Sequence, residues 1–159
     1  MNIMRKIDQL LAEYAESHQN PTNKLIHWIC VPIIVMCVLA LFWAIPTPAF
    51  FDNLPIPMNF GILAMLLALV YYLFLSIPLS FGMLFVATGF LWVIYQVDQI
   101  EILPLWGIAL IFFVLAWIGQ FYGHNIEGKK PSFLKDLQFL LIGPIWLLSF
   151  IYKSLGVKY

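Results

Sequence analysis

The side chains best equipped for chemistry in this chain are its three histidines, His18, His27 and His124. Each stands beside other polar groups in an otherwise apolar setting. Asn23 and His27 lie four residues apart, and Gln120, His124 and Glu127 follow an i, i+4, i+7 spacing. On a helix each set shares one face. A polar stripe on an apolar membrane helix is costly and usually points inward to a site. Three neutral imidazoles and a carboxylate suit a divalent transition metal, because imidazole serves iron, zinc, copper and nickel alike. Asn23 and Gln120 could then orient ring nitrogens by hydrogen bonding. The same residues also read as interfacial caps bonded to lipid head groups. Spacing alone does not choose between the two.

The elements that carry these residues belong to a membrane protein. Of 159 residues, 63% are hydrophobic and 10% charged, and the mean hydropathy is +0.93. A soluble globule of this size cannot hide so much apolar surface. Eight Lys+Arg balance eight Asp+Glu, which leaves no basic face for nucleic acid. The first two dozen residues are too polar to supply the apolar region of a signal peptide. Cys30 and Cys37 fall inside an apolar run and read as packed or lipid-facing thiols, not as a disulfide framework. Phosphate loops, nucleotide fingerprints, nucleophile elbows and Cys-x-x-Cys motifs are absent from the sequence.

The expected fold is all-α, a polytopic membrane helical bundle of four to five membrane helices forming one integral membrane domain over residues 1–159. Residues 3–17 place Ile3, Ile7, Leu10, Leu11 and Tyr14 opposite Arg5, Lys6, Asp8, Glu13 and Glu16. That is an N-terminal amphipathic helix (within 1–19), lying at the membrane surface or against the bundle. Asn20-Pro21 reads as a helix start. Apolar runs follow at roughly 25–45, 60–77, 79–96, 103–123 and 137–152, against a need of about 20 residues per crossing. Ser76-Ile77-Pro78-Leu79-Ser80 looks like a tight turn between two helices. The fifth run is short and broken by Gly143-Pro144, so it spans at a thin point or re-enters; a full crossing would export Lys153 and Lys158, which favours a re-entrant or surface-lying element. Gly119-x-x-x-Gly123 permits close helix contact. Tyr71, Tyr72, Trp92, Trp106, Trp117 and Trp146 read as belt or core aromatics. Asp98 and Glu101 read as a solvated loop, and Lys129-Lys130 as an anchor to anionic lipid.

All the basic residues lie at 5, 6, 24, 129, 130, 135, 153 and 158, and none lies in the loops 46–59 and 97–102. Cytoplasmic loops are enriched in Lys and Arg. Four spans with the N-terminus inside therefore put all three histidines at the cytoplasmic mouth of the first and fourth spans. The membrane would be the inner membrane of a bacterium or the endoplasmic reticulum of a eukaryote.

Two polar clusters carry a family resemblance. The segment Tyr14-Ala15-Glu16-Ser17-His18, Asn20-Pro21-Thr22-Asn23, His27 and Pro32 reads H-x4-N-x3-H-x4-P. Downstream stands Trp117-Ile118-Gly119-Gln120-Phe121-Tyr122-Gly123-His124-Asn125-Ile126-Glu127, then Lys130-Pro131-Ser132. Together these resemble the Mpo1-like family over essentially the whole chain. The resemblance implies an Fe(2+)-dependent dioxygenase that shortens 2-hydroxy fatty acids by one carbon. By position it implies His18, His27 and His124 as metal ligands, with Asn23, Gln120 and Glu127 beside them. Other members carry a further histidine where this chain has Ser17-His18, so Glu127 or water would complete the shell. The implied partners are the 2-hydroxy fatty acid, O2 and membrane lipid. The reaction RCH(OH)COOH + O2 → RCOOH + CO2 + H2O balances without another reductant, so no nicotinamide or flavin site is required. A non-enzymatic lipid-binding or scaffold protein is the alternative. A proton-relaying transporter fits less well, since the span centres are nearly all apolar.

The charge asymmetry generates a topology test. Single cysteines at Asn53 and Gln99, in a background lacking Cys30 and Cys37, should react with an impermeant thiol reagent from outside. Labelling of both only after permeabilisation would invert the orientation.

Overall fold

The computed structural model describes residues 4–100, 102–128 and 133–159. Among them are six α-helices and no strand: α1 (Lys6–Ala15), α2 (Pro21–Trp43), α3 (Phe60–Leu75), α4 (Ile77–Asp98), α5 (Leu105–Glu127) and α6 (Phe133–Ser154). A short 3-10 helix, Ala49–Asn53, lies between α2 and α3. Glu101, Lys129, Lys130, Pro131 and Ser132 fall outside the described residues, and with them the solvated-loop reading of Glu101 and the lipid-anchor reading of the lysine pair.

Local chemistry sets the helix starts. Asn20 Oδ1 accepts from the Thr22 and Asn23 amides at 2.9 and 3.4 Å, and Pro21 fills the first helical position. Ser76 Oγ accepts from the Leu79 amide at 3.4 Å, so one residue separates α3 from α4. The first start matches the sequence reading, while the turn expected over 76–80 contracts to Ser76 because its side chain caps α4 directly. At the other end of α5, Gly128 takes a left-handed conformation (φ 71°) and stops the helix directly after Glu127.

Among the described residues, three helices are long and apolar enough to cross a membrane: α2, α4 and α5. With 16 residues, α3 spans about 24 Å at 1.5 Å per residue, short of a hydrocarbon core of about 30 Å. Outward-facing side chains such as Phe74, Phe85, Trp92 and Ile118 are largely exposed. Expanses of that kind suit lipid and not water.

Two interfaces position the site. First, α2 and α5 form the most extensive helix pairing and run antiparallel. His27 meets His124 at one end, and Ala40 packs with Leu105 and Ala109 at the other. Small residues permit the approach. A Cβ on Gly119 would lie 2.7 Å from Cys30 Sγ, and one on Gly123 would overlap Asn23 Oδ1. The Gly-x-x-x-Gly spacing is therefore a contact face, as its sequence implies.

Second, α1 buries Ile7, Leu10, Leu11 and Tyr14 against Ile142, Ile145 and Trp146 of α6. Arg5 joins the chain ends, bonding to Asp8 at 2.8 Å and to the Tyr159 carbonyl at 2.5 Å. The expected break at Gly143-Pro144 does not occur, because α6 runs continuously through it. Pro144 removes one amide donor, and the Tyr72 hydroxyl supplies a donor in that turn, to the Leu141 carbonyl at 2.8 Å. Gly143 is needed for packing: a Cβ there would come within 3.0 Å of Tyr14 Oη and 3.1 Å of Val31 Cγ1.

The glycine contacts predict contrasting stabilities. Gly123→Ala should lower thermal stability in detergent by about 1–3 kcal/mol, because the hydrogen-bonded Asn23 side chain cannot withdraw freely. Gly89→Ala in α4 meets nothing within 4 Å and should leave the midpoint unchanged or slightly raised. Equal midpoints for the two variants would remove Asn23 as the constraint on α2–α5 packing.

Candidate metal centre

Three elements deliver the imidazoles to one point. His18 follows α1 in the short connection to α2, His27 lies in the second turn of α2, and His124 lies in the last turn of α5. The ring centroids of His18 and His27 are 4.2 Å apart, and each lies 5.1–5.4 Å from that of His124. One nitrogen from each ring can be chosen so that all three lie within 4.8 Å of one another. His18 and His27 are almost fully buried, at 2% and 1% exposure.

Backbone carbonyls fix how two of the rings present their nitrogens. His18 Nδ1 lies 2.6 Å from the Tyr14 carbonyl, and His27 Nδ1 lies 2.9 Å from the Asn23 carbonyl. A carbonyl only accepts, so each Nδ1 carries the proton and each Nε2 keeps its lone pair. Metal-ligating histidines are commonly oriented in this way. His18 Nε2 is buried with no hydrogen-bond partner. An orphaned lone pair of this kind calls for an explanation, and a metal ion supplies one. The donor set, three convergent imidazoles of which two are buried, therefore fits a transition metal.

Aromatic groups seal the pocket. Tyr14 stacks on His18 at 4.2 Å with an interplanar angle of 6°, and Trp146 lies 5.3 Å from the same ring. Phe139 meets Tyr14 edge-on at 5.1 Å. The sequence reading gave Tyr14 to an amphipathic face and Trp146 to belt or core, and it missed their position at the site. The i, i+4 spacing of Tyr14 and His18 was an available signal. Contact with Trp146, far along the chain, had none.

Glu127 is engaged elsewhere than with the rings. Its carboxylate accepts from the Gln19 amide (2.8 Å), the Asn20 amide (2.9 Å) and Asn23 Nδ2 (3.0 Å). One side chain of α5 thus clasps the connection carrying His18 and the start of the helix carrying His27. A carboxylate at a helix N-terminus is favoured by the unpaired amides and the helix dipole there.

Asn23 is fully buried, and its Nδ2 also donates to the Ser17 carbonyl at 3.2 Å. It reaches a ring nitrogen through its backbone carbonyl, not through its side chain. Gln120 is buried, with Oε1 lacking a hydrogen-bond partner. The structure thus gathers His18, His27 and His124 into one cluster and ties Asn23 and Glu127 into its frame.

Comparisons with known proteins bear on this arrangement. The family profile described as "2-hydroxy-palmitic acid dioxygenase Mpo1-like" matches residues 4–155. The 2-hydroxy-palmitic acid dioxygenase MPO1 of Saccharomyces cerevisiae is 28% identical over 153 residues, covering 90% of this chain and 78% of the yeast protein. No solved structure matches the chain.

The burial of His18 predicts a pH dependence. Desolvation pushes its pKa down from 6.5 to about 4, against the opposing pull of the Tyr14 carbonyl. The unfolded chain therefore binds more protons between these values, and stability rises with pH across that interval. Metal-free protein should be at full stability above pH 6.5 and lose this contribution as pH falls to about 4. Thermal midpoints measured across the window, beside those of His18→Phe, check this. An equal slope in the variant would remove His18 as the cause.

Proposed function

The chain belongs to the Mpo1-like family, and from that premise we propose that it is an Fe(II)-dependent dioxygenase acting on 2-hydroxy fatty acids. The reaction is α-oxidation: the 2-hydroxy acid and O2 give the acid one carbon shorter, CO2 and water. The observation that carries this reading is the buried cluster of three imidazoles in a chain whose relatives are described as dioxygenases. Loss of the carboxyl carbon and oxidation of carbon 2 supply the four electrons that reduce O2, so the chain needs no bound reductant.

Iron(II) held by His18, His27 and His124 would supply the redox chemistry and the Lewis acidity the reaction needs. The protein's own groups set the conditions. The Tyr14 and Asn23 carbonyls hold His18 and His27 with Nε2 toward the centre. Tyr14 and Trp146 keep bulk water from the His18 ring, which strengthens every polar interaction inside the pocket. Glu127 and Asn23 are positioning residues that lock the two histidine-bearing segments together. Gln120 Oε1, buried without a hydrogen-bond partner one turn before His124, would accept a hydrogen bond from a substrate hydroxyl. With the histidines at the cytoplasmic mouth, a head group would enter from the cytoplasmic side while its tail stays among the helices.

Replacing any one of His18, His27 or His124 by Ala should lower both iron content and turnover of 2-hydroxypalmitate. The assay follows the acid one carbon shorter, with O2 consumed in equal amount. Glu127→Gln should keep a detectable metal site weakened about 10–100-fold, as expected for a group that orients ligands without binding the ion. If all three His→Ala proteins fold, retain iron and turn over normally, the assignment fails and the histidines are structural caps. Folded wild-type protein that takes up no metal would instead favour the lipid-binding scaffold.

A further inference from the structure

We propose that the apolar cavity between α2, α3, α4 and α6 is the acyl-tail site, which takes the distal half of a long 2-hydroxy fatty acid. The proposal rests on the dioxygenase reading and names where the rest of that substrate goes. The cavity measures about 290 Å³, and its lining is apolar except for Tyr72, whose hydroxyl is committed to the Leu141 carbonyl. An apolar cavity of about 150 Å³ already accepts benzene. Twice that volume admits a segment of roughly eight or more carbons by the same measure.

Depth supports the assignment. The α2 wall runs from Val35 to Phe42. At ~1.5 Å rise per residue these lie about 12 Å and about 22 Å along the helix from His27. A staggered hydrocarbon chain with bonds near 1.5 Å advances about 1.3 Å per carbon. With the carboxylate end at the imidazoles, the cavity therefore begins near the ninth carbon and ends near the seventeenth, by the same arithmetic.

A continuous apolar face leads there. Cys30, Ile34 and Val38 lie on the same face of α2 as His27, and all three pack in one cluster with Leu140 of α6. Leu140 and Leu141 form the α6 wall of the cavity, and the preceding residue, Phe139, touches the Tyr14 ring that stacks on His18.

A second apolar cavity, about 270 Å³ between α2, α4 and α5, has no wall on α6 and so no path through Phe139 to the Tyr14 ring. Its α2 wall, Ile33 to Ala40, lies at comparable depth, about 9 to 20 Å along the helix from His27, so the α6 wall and not depth separates the two cavities. It serves as the control.

Selection in this cavity works by fit. A tail arriving from a bilayer is already out of water, so each added methylene gains little on entering the protein. An overlong or obstructed tail, by contrast, must bend or displace packed side chains. Ala87 is a buried wall residue of α4. Ala87→Phe should therefore shift preference from 16-carbon toward 10-carbon 2-hydroxy acids by about 10-fold or more, and Ala109→Phe in the other cavity should not.

The primary test is independent of turnover and uses the wild-type protein in lipid nanodiscs, with and without iron. A 2-hydroxyhexadecanoic acid bearing a photoreactive diazirine at its terminal carbon is crosslinked, and the sites are mapped by mass spectrometry. Labelling of Met65, Met83 or Phe90, competed by excess 2-hydroxypalmitate and lost in folded Ala87→Phe, is the expected result. Labelling confined to Met36 or Ile94 in the other cavity, or to lipid-facing residues, overturns the proposal. So does cavity labelling that 2-hydroxypalmitate does not compete. If competed labelling holds but no 2-hydroxy acid is consumed by iron-loaded protein, the tail site stands and the dioxygenase reading falls. Turnover without competed cavity labelling gives the reverse.

Discussion

A single carboxylate holds the frame of the imidazole cluster. Glu127, the last residue of α5, accepts N–H groups from Gln19, Asn20 and Asn23, more than a hundred residues earlier in the chain. The donors are two amides of the α1–α2 connection, left without intrahelical partners ahead of α2, and the buried Asn23 side chain at the start of α2. Each segment it touches bears one histidine, and its own helix bears the third. The three rings meet because their backbones are tied together at this point. Glycine at 128 lets the chain leave α5 immediately afterward, and glycine at 123 lets Asn23 come close enough to reach the carboxylate.

Given that frame, local geometry does the finer work. Both His18 and His27 bond through Nδ1 to the carbonyl four residues before them. For His18 that carbonyl belongs to the last turn of α1, where the helix leaves acceptors over. For His27 it lies within α2, so the ring leans back along its own helix. The same i−4 relation thus sets the tautomer at two sites by local contacts alone, with no carboxylate partner for either ring. This leaves Glu127 available for the clasp.

Features written in adjacent residues were legible in the sequence. Asn20-Pro21 starts α2, Ser76 with Pro78 starts α4, and the glycines at 119 and 123 mark the face that meets α2. The polar spacing on α2 and α5 picked out His27 and His124, whose rings meet, and Asn23 and Glu127, whose side chains are hydrogen-bonded. Features set by distant partners were not legible. Gly143-Pro144 looks like a break, yet Tyr72 supplies a donor to that turn and Tyr14 and Val31 fill the space left by the missing Cβ. Nothing local to Glu127 separates a ligand from a clasp, because its donors lie at the other end of the chain. Trp146 sits in an apolar run like any core aromatic, and only packing of α1 on α6 brings it to His18.

The division of labour among the helices follows from the small size of the chain. With no strand among the described residues and little polar sequence to spare, a dry site has to be closed by the helices themselves. The long apolar pair α2 and α5 provides depth and brings opposite chain directions together at one mouth, so that the end of one helix faces the start of the other. The short helix α1 then works as a cover: it is amphipathic, its apolar face is held by α6, and its last turn lays Tyr14 across His18. Opening that cover would expose the buried His18 ring and would disturb α6, whose Leu140 and Leu141 wall the apolar cavity beyond. The imidazole cluster and the apolar cavity are therefore joined through α6. A substitution on the α1–α6 interface should be felt at both.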